Sequence, residues 1–288
     1  MQTERNINEP LYVRVALTAL ALTFLLLFLF MPLAAVFYNA LLEGLGTYRA
    51  AVTDPTALSA IALTFIAVII AVPLNVIFGV LAAWAITKFN FRGKNILITI
   101  IDLPLTVSPV ISGTIFILLF GTQGLLGPWL LSHNIKFIFA LPGIIIATTF
   151  VTLPYVAREL IPLMHSMGDL DEEAAITLGA GGLKTFLWVT LPNIKWGLFY
   201  GVILTTARAI GEFGAVSVVS GHIRGKTVTM PLHVEILYNE YNFAAAFAVA
   251  SLLALVSLCT LCLKKFAEWK RHTTALEHEA YLFQERRP

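Results

Sequence analysis

Asp169-Leu170-Asp171-Glu172-Glu173-Ala174-Ala175-Ile176-Thr177-Leu178-Gly179, continued ten residues later by Val189-Thr190-Leu191-Pro192, is a polar stretch set between long apolar runs. Asp171, Glu172 and Glu173 put negative charge in a first helical turn, where the helix dipole favours it, so a helix is expected to start near Leu170. Asp169 and Glu172 have capping-box spacing. Ala174 and Ala175 present a low surface that another backbone can approach. Gly179, Gly181 and Gly182 supply a turn that takes positive φ. A second short helix is expected from about Leu183 to Val189, with Pro192 ending it before the next apolar run. The whole segment, residues 168–193, has the make-up of a docking loop.

Its setting is a bilayer. Of the 288 residues, 58% are hydrophobic and 12% charged, and the mean hydropathy is +0.83. A soluble domain carries roughly a quarter charged residues. Runs without Asp, Glu, Lys or Arg extend over Val15–Leu42, Pro55–Thr87, Leu103–Ile135, Phe137–Ala157 and Tyr241–Leu263. Each exceeds the roughly 20 residues that a spanning helix needs. A further run, Trp196–Ile223, is interrupted by Arg208 and Glu212. The expected fold is therefore an all-α polytopic membrane protein of six transmembrane helices and one domain, 1–288. Pro73, Pro104, Pro109 and Pro154 are expected kinks, with regular helix in the third span resuming after Val110.

Basic residues set the orientation. Arg5, Arg14, Lys88, Arg92, Lys94, Arg158, Lys184, Lys195, Lys264, Lys265, Lys270, Arg271, Arg286 and Arg287 fall on one side, against Arg49, Lys136, Arg224 and Lys226 on the other. Fourteen against four places both termini and the Glu173 loop in the cytoplasm. The first apolar run is longer than a signal-peptide core and reads as an uncleaved span. The polar tail, 268–288, reads as a short amphipathic or frayed end.

Two features carry charge or sulfur into the spans. Arg208 and Glu212, spaced i and i+4, would share one face of a helix and be costly if unpaired near a span centre. They read either as a buried pair that locks helix packing or as support for a transport pathway. Gly211 and Gly214 would permit close approach of a neighbouring subunit. Cys259 and Cys262 read as packing residues rather than metal ligands. Gly221-His222-Ile223-Arg224-Gly225-Lys226-Thr227 ends like a phosphate-binding loop, but only three residues separate its glycines where four are needed. Phosphate chemistry is therefore expected on a partner, with no cofactor bound by this chain.

The pattern Glu173-Ala174-Ala175, Gly179, Leu191-Pro192 resembles the cytoplasmic coupling motif of permease subunits of ABC importers. Thr205–Gly221 together with Glu173–Leu198, and the loop Lys88-Phe89-Asn90-Phe91-Arg92-Gly93-Lys94, resemble the sulfate/thiosulfate permeases of the CysW type, within an oxyanion group that includes molybdate and tungstate permeases. The likeness runs from Tyr12 to about Lys265, with a core of about 57–263. It implies a type I importer (MetI-like) fold and a bacterial inner-membrane location. It also implies a homologous permease of the CysT type, two cytoplasmic ATPase subunits of the CysA type holding ATP and Mg2+, and an external sulfate/thiosulfate-binding protein. Glu173, Ala174, Ala175, Gly179, Leu191 and Pro192 would then couple to the ATPase, with Arg208, Gly211, Glu212 and Gly214 supporting translocation or gating. A secondary transporter would instead need paired repeats or broken helices bearing ion ligands. A membrane enzyme would need clustered catalytic groups, and the six histidines are scattered.

Overall fold

A computed structural model describes residues 10–285, with side chains described for 10–265. Arg5, Arg286 and Arg287 of the basic count lie outside the described residues, as do the side chains of Lys270 and Arg271. The described chain contains helices, turns and loops, with no strand among them. In lipid that follows from backbone chemistry, since a helix satisfies its own N–H and C=O groups where water cannot.

Helix α1, Leu11–Leu41, is the first span; a π turn at Leu26–Phe30 interrupts its α-helical bonding. Its first half buries no side chain and offers leucine and phenylalanine all round, the composition of a helix that faces lipid. A short helix α2, Gly44–Thr53, leads to Asp54, which begins the second span, α3, Pro55–Lys88. Asp54 accepts hydrogen bonds from the Thr56 N–H, at 2.8 Å, and from the Thr56 hydroxyl. These bonds hold the Asp54 carboxyl below its ordinary range. Pro73 is absorbed within the continuous α3.

The third span differs from its expectation. Helix α4, Lys94–Thr106, carries Pro104 in its interior, and α5 runs Pro109–Phe120. The two meet at a 107° bend. Ser108 precedes a proline and is held extended, at φ −57° and ψ 133°, while Pro109 occupies a first-turn position that needs no N–H. The regular helix thus resumes at Pro109, and the apolar run onward to Ile135 folds into turns around α6, Gly127–Ser132.

Helices α7, Leu141–Thr152, and α8, Pro154–Met167, form one span, Leu141–Met167. It is displaced toward the polar loop relative to the apolar run Phe137–Ala157, because the last turns of α8 bury Leu160 and Met164. Asn75, at the centre of α3 and fully buried, donates to the Thr152 hydroxyl at 2.7 Å and to the Thr149 carbonyl at 3.1 Å. Gly79 lets α3 and α8 close. A Cβ there would stand 2.6 Å from Cβ of Val156.

Beyond the polar helix α9, Leu170–Thr177, the chain enters α10, Gly182–Ile210, continuous through a π turn at Phe186–Thr190. Pro192 therefore does not end a separate helix. It follows the π turn at a first-turn position of the segment Leu191–Ile210, where the opened bonding pattern accommodates a residue without an N–H. The run Trp196–Ile223 is not one helix either. It breaks at Gly211–Phe213 and restarts as α11, Gly214–Ser220, which ends at Gly221 with φ +68°. Helix α12, Met230–Asn239, which the apolar runs did not indicate, buries Met230, Leu232 and His233. The last helix, α13, runs Phe243–Glu285 and takes in the described part of the polar tail. Cys259 and Cys262 lie on its exposed face rather than in a packed one.

Five helices among the described residues are long and apolar enough to span a membrane, and the count reaches six when the bent α4–α5 pair is taken as one broken span. Under the polar loop, Val80, Ala83, Val156, Leu160, Met164 and Ile194 form a buried cluster that joins α3, α8 and α10.

Candidate coupling loop and intramembrane ion pair

Helix α9 starts at Leu170 as its acidic first turn requires, but the capping box does not form. Asp169 makes no side-chain cap, and Glu172 turns away from the helix start. Both carboxylates go instead to Lys88, the last residue of α3. Its Nζ stands 2.7 Å from Asp169 Oδ1, 2.7 Å from Glu172 Oε2 and 2.7 Å from the Gly168 carbonyl. The Thr190 hydroxyl donates to Glu172 Oε1 at 2.9 Å, and Asn193 Nδ2 donates to Asp171 Oδ2 at 3.0 Å. A charged amine satisfies the carboxylates better than the weak dipolar cap would. Lys88 was legible only as a basic residue at a span end, because its partners lie 80 to 84 residues away.

Helix α9 closes on Gly179, at φ +90°. The Ala180 N–H bonds the Ala175 carbonyl at 3.0 Å and the Gly179 N–H bonds the Ile176 carbonyl at 2.9 Å. This is a Schellman ending, and it needs the left-handed residue that glycine supplies. Of the other candidate residues, Glu173, Ala174 and Pro192 are exposed, while Ala175 and Leu191 are half-buried. Leu191 packs on the cluster below. Around them Leu178 and Trp188 are 89% and 81% exposed, with Leu170 and Leu183 similarly open. Bare apolar side chains grouped around an ordered polar helix have the make-up of an interaction surface.

Arg208 and Glu212 do meet, though not along one helix. Arg208 sits in the last turn of α10, and Glu212 lies in the break before α11. Arg208 Nη1 is 2.7 Å from Glu212 Oε2 in an ion pair that is not aligned as a hydrogen bond. The other oxygen, Oε1, accepts the Ala215 N–H at 2.9 Å. The cation thus occupies the end of a helix where the dipole is negative, and the anion the start of one where it is positive. Glu212 has no exposed side-chain surface, while about a third of the Arg208 side chain is exposed. Gly214 brings α11 against α5: a Cβ there would lie 2.9 Å from Cβ of Pro109. Gly211 is open.

The family profile of the binding-protein-dependent transport system inner membrane component matches residues 75–269, which include both sites. The chain belongs to this family. The permease is 47% identical over 266 residues to the sulfate transport system permease protein CysW of Escherichia coli K12, covering 92% of this chain and 90% of that one. It is 50% identical to the protein of the same name from Synechococcus elongatus, covering 88% of each. It is 34% identical to CysT, the sulfate transport system permease protein of Escherichia coli K12, over 84% of this chain and 87% of that one. Its fold matches a chain of a bacterial alginate ABC transporter in complex with an alginate-bound periplasmic protein. The TM-score is 0.73 at 16% identity, over 89% of this chain and 92% of that one. The permease is a multi-pass membrane protein of the ABC importer class.

Proposed function

We propose that this permease carries sulfate and thiosulfate into the cytoplasm as one of two non-identical permeases above a pair of ABC ATPase subunits. The observation that carries this reading is near full-length likeness to a sulfate permease, joined to an ordered, exposed loop at residues 168–193. The likeness to CysT supports a heterodimeric pairing. The apolar surface around Gly179 supports an ATPase seated on α9, with ATP and Mg2+ held by that partner and none by this chain. An external binding protein delivers the anion. ATP binding closes the ATPase pair, carries the two α9 helices together and shifts the spans between inward-open and outward-open states, a shift driven by the differential affinity of ATP for the two.

In a strain lacking its own sulfate permease, the assembled system is expected to restore uptake of labelled sulfate and thiosulfate but not molybdate. Uptake of molybdate alone would overturn the cargo, and sulfate uptake that follows an ion gradient without ATP would favour a secondary transporter. The fourteen-to-four distribution of basic residues supports cytoplasmic termini and a cytoplasmic Glu173 in a bacterial inner membrane. Single cysteines at Glu43, Lys136 and Lys226 are expected to react with an impermeant thiol reagent from outside, while those at Lys94 and Lys184 stay unlabelled. The opposite pattern would invert the topology.

A further inference from the structure

We propose that Lys88 is a positioning residue that ties the coupling helix α9 to the second span, so that a push on the loop reaches α3 and α10 together. The inference rests on the reading of α9 as the ATPase contact. An ammonium has three donors, and all three of Lys88 are committed, each at 2.7 Å, to the Gly168 carbonyl, Asp169 and Glu172. Those acceptors occupy the junction after α8 and the first turn of α9. Glu172 passes the connection on, through its second oxygen, to Thr190 within the π turn of α10.

One carboxylate and one ammonium therefore lace α3, the end of α8, α9 and α10 at a single point. The side chains of Lys88 and Glu172 are only 12% and 17% exposed, so the contact is screened less than a surface pair. An apolar contact runs beside it. The Trp84 ring centroid lies 4.7 Å from that of Phe186, again joining α3 to the π turn. Glu173, one residue on, stays exposed and available to a partner. Two adjacent glutamates thus divide the work, Glu172 inward and Glu173 outward.

The test compares Lys88→Met, which keeps the apolar stem, with Lys88→Arg, which keeps a cationic donor, in the full reconstituted transporter. Sulfate accumulated per ATP hydrolysed is expected to fall about tenfold in Lys88→Met, the scale of one lost charge-assisted hydrogen bond, and to recover most of that loss in Lys88→Arg. Lys88→Met combined with Glu172→Gln is expected to be little worse than either change alone, because they remove one network. Amide exchange over residues 168–177 is expected to quicken in Lys88→Met and to stay near the wild-type rate in Lys88→Arg. An unchanged transport ratio, an unchanged exchange rate, or a Lys88→Arg variant as impaired as Lys88→Met would each overturn the proposal. Failure of wild-type vesicles to accumulate sulfate would refute the transport reading itself. That result is read in the wild-type arm, while the exchange arm still judges the tether.

Discussion

Gly179→Val is expected to reduce sulfate uptake by at least an order of magnitude while the permease still inserts and accumulates. The backbone at 179 sits at φ +90°, where a residue with a Cβ costs about 1–2 kcal/mol and a β-branched one more. Space is not the obstacle, since a Cβ at this position would meet no atom within 4 Å. The cost therefore falls on the Schellman ending alone and reorients the exposed Leu178 that precedes it. Gly179→Asn, which tolerates left-handed backbone better, is expected to keep more uptake than Gly179→Val. Equal uptake in wild type and Gly179→Val, with the same amount of co-purified ATPase, would remove α9 from the coupling role.

Glu212→Ala is expected to lose folded protein, by at most about 3–5 kcal/mol, the range for breaking one side of a fully buried ion pair, since about a third of the Arg208 side chain stays exposed. Two groups lose their partner at once: the Arg208 guanidinium, and the Ala215 N–H that begins α11. Arg208→Ala strands a carboxylate with no exposed surface. The double variant removes the charge imbalance but leaves the Ala215 N–H unpaired, a residual cost of about 1–3 kcal/mol. Folded yield, followed by size-exclusion chromatography of the detergent-solubilised protein, is therefore expected to recover partly in the double variant. Losses that simply add would argue against coupling between the two side chains. A double variant with recovered yield but no uptake would place the pair in the transport pathway, and recovery of both would make it structural.

The local parts of the architecture were readable in advance because their causes are local. Charge-free length marks the spans. Three acids before two alanines start α9 at Leu170, and glycine at 179 ends it. What escaped the sequence depends on contacts across the chain or on which of two allowed roles a proline takes. Pro104 lies within α4, while Pro109 opens α5 after the 107° bend, yet both are prolines in one apolar run. Pro192 resembles a terminator and instead sits inside a continuous helix, because the π turn before it opens the bonding pattern. The i, i+4 spacing of Arg208 and Glu212 brings them together, but across a helix break rather than along a helix, so spacing alone found the pair and missed its geometry. Asp169 and Glu172 fit a local cap in sequence and were claimed by an amine from another span.

The π turn at Phe186–Thr190 also sets an angular phase. An α-helix advances about 100° per residue, and a π turn accommodates one extra residue without ending the helix. The face that Gly182–Thr185 presents is therefore rotated by roughly that angle from where an uninterrupted α-helical α10 would place it. Thr190, inside the turn, faces Glu172, while Trp188 on the same short segment stays bare. Removing one residue between Phe186 and Thr190 would restore ordinary pitch and turn Gly182–Thr185, with the exposed Leu183, by about 100° relative to the rest of α10. A one-residue change in length, with composition almost untouched, would thus turn the interface like a key cut to another lock.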